Sequence, residues 1–348
     1  MSSGQSSLCT LPVAKYQALG NSYIVLDPRN FTDGDCTRTG LDESGFPRRE
    51  LIAILCDPGR GIGSNGVLFG PVAHSGEPDV FGLRIINSDG TLAGFSGNGT
   101  RIFAQYLLDN GDVKIGSSLR FEIDEGLQKP RSNFVPVRIL EQSNGRIEIT
   151  APHSPRFGAA AVSLKHDLPG ALPWTHCLAP IAEIGRKIMG NSNAWGTSVL
   201  VDIGNPHCVT LVSRPEHLPS FADLKAQNDA LARVAYRHAG PDALFAEGIN
   251  LQWLYPETTD RVQLMIYERG EGPTLASGSS AAAAVCAAYR CGLVDQLVKV
   301  KMPGGSLDIR IENSHEEISS VMLSGFASRI FIGEFDLNNY RDGLHELH

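Results

Sequence analysis

The chain has 348 residues, 42% of them hydrophobic and 20% charged, with a formal net charge of −8. That length suits two medium domains better than one core, and both percentages are ordinary for a globular protein. An acidic balance without a Lys/Arg run argues against a nucleic-acid partner, and no stretch approaches the roughly 18 apolar residues that a membrane span needs.

In chain order, residues 1–12 read as a Ser-rich tail with no apolar core of a secretory signal. A hairpin is predicted from strand-like residues 13–17, a Gly20-Asn21 turn and a second strand over 23–27. Residues 28–48 form a surface loop, 50–56 a short helix, and Gly59-Arg-Gly-Ile-Gly-Ser-Asn-Gly66 a glycine-rich loop leading into a strand over 67–69. That loop lacks the Lys-Ser/Thr ending of a phosphate loop, so a nucleotide is not expected there. A strand over 83–86 runs into Asn87-Ser-Asp-Gly90. Phe95-Ser-Gly-Asn-Gly-Thr100 then opens a helix over 101–108, with Ile102, Phe103, Tyr106 and Leu107 at buried-face spacing. Residues 119–150 are again strands.

Residues 153–195 fit no clean pattern beyond one short helix and read as an elaborated linker. It joins an N-terminal domain at 13–152 to a C-terminal one at 196–335. In the latter, strands are predicted over 198–202 and 208–212, separated by Gly204-Asn-Pro-His207, and a helix over 222–237. Strands over 248–254 and 261–267 lead to Glu268-Arg-Gly270. Ser277-Gly-Ser-Ser280 opens an Ala-rich helix to about Tyr289, and strands over 298–302, 306–312 and 317–323 follow. Frequent turns (37 Gly, 20 Pro) favour many short strands. Seven cysteines, an odd number without a CxxC pair, speak against a disulfide framework and for a reducing, cytoplasmic compartment. No His/Cys/Asp cluster has zinc spacing.

The two halves share a plan in which strands lead to a Ser-Gly turn, a helix and further strands. Serine caps a helix well, the adjacent glycine leaves the backbone bare, and the helix dipole favours an anion there. Either turn alone is an ordinary capped helix. Two at equivalent places, Ser96-Gly97-Asn98 and Ser277-Gly278-Ser279, point to a grip on one carboxylate at a domain interface. Asn21, Asn65, Asn87, Asn98, Asn205 and Asn250 fall in turns or at strand ends, which suits amide recognition of a polar substrate and also simple turn formation. Arg269 offers a fork for a carboxylate, Glu268 a partner for an ammonium, and His207 a ring that orients a neighbour or caps a turn.

Seven ordered segments resemble diaminopimelate epimerase: Gly20-Asn21-Ser-Tyr, Gly61-Ile-Gly-Ser-Asn-Gly66, Asn87-Ser-Asp-Gly90 with Ser96-Gly-Asn-Gly99, Gly204-Asn-Pro-His207, Gly248-Ile-Asn250, Glu268-Arg-Gly270 and Ser277-Gly278-Ser279. The likeness runs from about Val13 onward, with extra length near 28–48 and 153–195. It implies an α+β fold of two pseudo-symmetric domains, each a curled, mainly antiparallel sheet around a central helix. It further implies a small amino-acid substrate of diaminopimelate type, a place in lysine biosynthesis, and a homodimer as an expected assembly. No cofactor is implied, pyridoxal phosphate included, because two thiols exchange the Cα proton on opposite faces. Carried over, Ser96 and Ser277 take the places of those thiols, with Gly97, Asn98, Gly278 and Ser279 around the reacting carboxylate. Asn87, Asn205, Asn250 and Arg269 would hold the distal end. Asn21 and Glu268 would place the reacting end, with Asn65 among the binding residues and His207 beside the site.

The departure from that pattern is serine at both reactive positions, with Ser22 for the usual Asp and Ser280 for the usual Gly as smaller differences. A thiol ionises near pH 8.5, whereas a hydroxyl is a far weaker acid and needs a partner base. Three readings follow. In the first, native serines are helped by His207 or Glu268 in an epimerase, a racemase or a diverged isomerase or lyase. In the second, serines have replaced two cysteines so that a ligand stays trapped. In the third, the chain is a pseudoenzyme that binds an amino acid without converting it.

Overall fold

The structure is a computed structural model and describes residues 10–31, 40–72, 76–77, 79–124, 133–141, 146–162, 174–190, 194–236, 244–315 and 317–337. Most of the expected N-terminal tail, the middle of the 28–48 loop, residues 163–173 and 191–193 of the expected linker, and Cys9 and Cys36 lie outside the described residues. The chain divides into two compact units, Met1–Ile147 with Phe326–His348, and Glu148–Gly325.

The first unit begins with β1 (Thr10–Ala18) and β2 (Asn21–Leu26). Their turn is Leu19-Gly20, with φ of 57° and 82°, a hairpin turn whose twist suits the flanking strands. It lies one residue earlier than expected because Asn21 already pairs with Ala18. Helix α1 (Arg49–Cys56) buries Leu51, Ile52, Ile54, Leu55 and Cys56. Then β3 (Gly66–Val72) runs parallel to β2, β4 (Val80–Asn87) antiparallel to β3, and β5 (Leu92–Ala93) folds back on β4. Helix α2 (Gly97–Asp109) follows, buried through Ile102, Phe103, Tyr106 and Leu107 as its spacing demanded. Strand β6 (Ser118–Ile123) is parallel to β4, and β7 (Asn133–Leu140) antiparallel to β6.

Strand β8 (Arg146–Thr150) leads into the second unit, which contains β9 (Arg156–Phe157), β10 (Thr175–His176), α3 (Ala179–Met189), β11 (Ser198–Asp202) and β12 (Pro206–Leu211). The helix expected over 222–237 is two short helices, α4 (Phe221–Ala226) and α5 (Asn228–Ala235). They are broken at Gln227, whose backbone leaves the helical region (φ −103°, ψ 17°). Next come β13 (Asn250–Thr258), β14 (Arg261–Glu268), β15 (Gly272–Thr274), α6 (Gly278–Arg290), β16 (Leu297–Met302), β17 (Gly305–Ser314) and β18 (Glu317–Gly325). The final strand, β19 (Ser328–Asp336), pairs antiparallel with β1 and so belongs to the first unit.

The pairings repeat. The run β1–β2 antiparallel, β2–β3 parallel, β3–β4 antiparallel, β4–β6 parallel, β6–β7 antiparallel recurs as β11–β12, β12–β13, β13–β14, β14–β16, β16–β17 in the same senses. Within its own unit each long helix is wrapped by strands: α2 meets β1, β2 and β19, and α6 meets β11, β12, β13, β17 and β18. Ala281, Ala282, Ala283, Ala284, Ala287 and Ala288 are fully buried, and such small side chains let strands approach α6 closely. This is the α+β fold of two curled sheets around central helices.

The domain limits differ from those expected. The C-terminal strand crosses back to β1, a pairing about 300 residues away in sequence that no local pattern signals. The described part of 153–195 is not a linker. Val162, Leu178, Ile181, Ile184 and Trp195 pack with Leu200, Cys208 and Trp253 in the core of the second unit. Gly185 lies under Trp195, where a Cβ would come within 2.7 Å of the indole. Each such buried side chain stabilises by about 1.5–3 kcal/mol. Among the described residues no helix is long and apolar enough to cross a membrane.

Candidate active site

In the first unit the chemistry collects at the N-terminus of α2. Ser96 is its N-cap, in extended conformation (φ −144°, ψ 115°), and its Oγ accepts from Gly99 N at 3.0 Å. The first-turn N–H groups of a helix have no intrahelical partner, so those of Gly97 and Asn98 begin the anion-favouring end. Arg101, one turn on and fully buried, donates from Nη2 to Asn98 Oδ1 at 2.5 Å. That bond fixes the amide with Nδ2 as the outward donor. Burial, with the like charge of Arg146 adding, pushes the Arg101 guanidinium down to about 9, which leaves it cationic at neutral pH. Its Nε and Nη1 are buried without a hydrogen-bond partner among the described residues.

Strands β2, β3 and β4 bring the other residues of this half together at their ends. Asn65 and Ser22 clamp one another: Asn65 N donates to Ser22 O (2.9 Å) and Ser22 N to Asn65 Oδ1 (3.0 Å). The Asn65 side-chain oxygen is thereby committed to β2. Beside it, Asn21 Oδ1 is buried and has no hydrogen-bond partner among the described residues, an acceptor in want of a donor. Asn87 closes β4, where Gly66 is its register partner. Its Nδ2 donates to Thr91 Oγ1 (3.0 Å), and Asp89 holds Thr91 in turn (2.6 Å). Two residues beyond Asn21, on the same side of β2, the Tyr23 hydroxyl lies 3.2 Å from Ser96 Oγ.

The second unit repeats the cap. Ser277 is the N-cap of α6 (φ −142°, ψ 128°), accepting from Ser280 N at 3.4 Å, with Ser279 Oγ also 3.4 Å from its Oγ. Its hydroxyl lies near the Glu268 carboxyl at the end of β14 and favours the ionised form of that group. Burial raises Glu268 above the usual carboxylate range, and the neighbouring hydroxyls of Ser277 and Thr274 oppose this only in part. Asn250 Oδ1 accepts from Arg269 N (3.0 Å) and its Nδ2 donates to Pro206 O (3.2 Å). The exposed Arg269 side chain donates to Glu247 O.

Beneath this tip runs a buried polar chain. Gln252 Nε2 lies 3.0 Å from both His207 Nδ1 and Ser280 Oγ, and His207 Nε2 lies 2.9 Å from Asn205 Oδ1. With Nδ1 facing an amide N–H, the ring carries its proton on Nε2 and gives it to Asn205. Burial pushes the imidazole down to about 3, aided by the charge of Arg269 and opposed by the Gln252 bond. His207 is neutral at any working pH and both its nitrogens are occupied.

In the first unit, then, the structure groups Asn21, Asn65, Asn87, Ser96, Gly97 and Asn98. In the second it groups Asn205, His207, Asn250, Glu268, Arg269, Ser277, Gly278 and Ser279. Sequence reasoning passed over Tyr23, Arg101 and Gln252. Spacing offered a signal for two of them: Tyr23 alternates with Asn21 along β2, and Arg101 is one helical turn from Asn98. Gln252 follows Asn250 by the same strand alternation, but glutamine in a strand announces nothing. The register makes Tyr23 the counterpart of His207, since β2 meets β3 through Ile24–Val67 as β12 meets β13 through Cys208–Leu251.

Residues 199–329 match the family model described as diaminopimelate epimerase. Diaminopimelate epimerase 2 of a Nostoc species is 33% identical over 308 residues, covering 86% of this chain and 88% of the relative. The diaminopimelate epimerase of Burkholderia vietnamiensis is 29% identical over 330 residues, covering 94% and 99%. Among solved structures, a phenazine biosynthesis protein of the PhzF family from Bacillus anthracis superposes with a TM-score of 0.59 at 15% identity, covering 94% of this chain and 99% of that one. A hydroxyproline epimerase from Agrobacterium vitis, with bound trans-4-hydroxy-L-proline, superposes with a TM-score of 0.56 at 12% identity, covering 94% and 91%. At such identities the structural likeness shows the fold.

Proposed function

The chain belongs to the diaminopimelate epimerase family, and from that membership we propose that it isomerises diaminopimelate, or an amino acid with a similar second polar end, at Cα without a cofactor. The observation that carries the proposal is the duplicated cap: Ser96 and Ser277 stand at the same place on α2 and α6 in a repeated sheet. Backbone N–H groups of Gly97, Asn98, Gly278 and Ser279 bind the α-carboxylate and stabilise the charge that builds up when Cα loses its proton. Asn21 Oδ1, buried and unsatisfied among the described residues, accepts from the α-ammonium together with Glu268. Asn87, Asn205, Asn250 and Arg269 take the distal end, Asn65 fixes β2 beside it, and His207 positions Asn205.

Ser96 and Ser277 act on one substrate carbon. A hydroxyl alone cannot replace a thiolate, because each unit of pKa mismatch adds about 1.4 kcal/mol. The raised carboxyl of Glu268, beside Ser277, supplies the missing basicity: the serine oxygen takes the Cα proton as its own passes to Glu268. His207 offers no lone pair for that task. The substitution of serine for thiol favours a second reading, an amino-acid binder that does not turn over.

Calorimetry with meso- and LL-diaminopimelate tests the substrate: binding of either is expected, and absence of both contradicts it. The double variant Ser96→Cys/Ser277→Cys should raise epimerisation by about two orders of magnitude or more, given the acidity gap. No gain would mean that the surrounding pocket, not only the reacting group, has changed.

A further inference from the structure

We infer that Tyr23 supplies, through Ser96, the proton that Cα receives, opposite in role to the Glu268–Ser277 pair; this rests on the isomerase reading above. Tyr23 is 6% exposed, and its ring is seated against Gly66, where a Cβ would come within 2.9 Å of Cε1. Its hydroxyl lies 3.2 Å from Ser96 Oγ. Ser96 Oγ already accepts from Gly99 N. When the phenol donates as well, both acceptor sites of the oxygen are used and the serine's own proton turns outward. Ser277 is backed the other way: it accepts from Ser280 N and has an acceptor beside it, the Glu268 carboxyl, so in the proposed step its proton turns inward and an oxygen lone pair outward. One serine is polarised to give, the other to take.

Among the described residues, the second unit has no phenol at the register position of Tyr23. The register counterpart is His207, which reaches its helix only through Gln252 and Ser280. The two sites thus differ in the group that backs each serine, although the caps are alike.

The step balances as follows. The Cα–H bond breaks, its electron pair stays on carbon, the proton joins Ser277 Oγ, and the former Ser277 proton moves to Glu268. On the other face Ser96 gives its proton to Cα and takes that of Tyr23, which becomes a phenolate. The enzyme form left behind, protonated at Glu268 and ionised at Tyr23, is the one that runs the reverse reaction. Water returns it to the starting form.

The test is Tyr23→Phe in the full chain, with each substrate epimer in deuterated water, following inversion and Cα deuterium incorporation by NMR. Inversion should fall at least ~10-fold in both directions. Exchange with retention should persist for the epimer whose Cα–H meets Ser277 and be lost for the other, a split that a general loss of packing would not produce. Equal loss for both epimers, or unchanged inversion, overturns the inference alone. A wild type with neither exchange nor inversion overturns the isomerase reading and this inference with it. If Tyr23→Phe does not fold, a fluorotyrosine at 23 keeps the hydroxyl and should move the alkaline limb of inversion to lower pH; an unmoved limb overturns the inference.

Discussion

At the scale of single residues, Glu268 carries the clearest expectation. Its folded carboxyl titrates above its unfolded value because it is buried, so folding is favoured where it is protonated and that advantage is lost as pH rises through the folded value. At neutral pH the ionised form is therefore a burden on stability. Glu268→Gln should raise the melting temperature at pH 7 while abolishing Cα exchange of the epimer whose Cα–H meets Ser277; a lowered melting temperature would mean that its hydrogen bonds outweigh its desolvation. The serines, asparagines, Glu268 and Arg269 of the site were legible because turns and helix caps restrict residue type. Tyr23, Arg101 and Gln252 were not, because their importance lies in the partner each meets: Ser96, Asn98 and the His207–Ser280 pair. All three lie along one strand or helix from a legible residue, but only the packed structure shows which group each one meets.

At the scale of elements, the repeat supplies its own control. Where the second unit buries Gln252 against Ser280, the first has Leu68 against Gly99, a Cβ on which would come within 3.2 Å of Leu68. Gln252→Leu alone should cost about 1–3 kcal/mol in denaturant unfolding, since it strands His207 Nδ1. Adding Ser280→Gly removes one stranded hydroxyl and should recover part of that loss; strict additivity of the two changes would contradict the coupling. The same chain sets a pH dependence. His207, pushed down to about 3 in the fold, must stay neutral there while the unfolded imidazole charges below about 6.5. Stability should be full above the unfolded value and fall as pH drops from about 6.5 towards 3, at about 1.4 kcal/mol per unit. His207→Gln should flatten this slope in urea titrations, and an unchanged slope would place the proton uptake elsewhere. Elements with strong local punctuation, such as α2, α6 and the β1–β2 hairpin, were readable in type and place, although α2 starts four residues before the expected 101 and β1 three before 13. The break between α4 and α5 was not, because Gln227 carries no breaker signal.

At the scale of the whole molecule, the chain's last strand stabilises the unit that its first strand begins. Truncation after Gly325 should remove the β1–β19 ladder and lower amide-exchange protection in β1 and β2 while β12 and β13 keep theirs; equal loss in both sets would contradict the division into two units. The duplicated plan was visible in the order of motifs, since each repeat carries its own cap and strand-end polar residues. The domain limits were not, because β19 pairs across nearly the full chain length and the core role of Trp195 depends on strands that come later. The central claim, that Ser96 and Ser277 serve one carbon from different sides, is tested most directly by deuterium incorporation at Cα of the two diaminopimelate epimers with Ser96→Ala and Ser277→Ala. The account predicts that each variant loses inversion altogether and keeps exchange for only one epimer, a different one in each case. Exchange of both epimers surviving in either variant would contradict it.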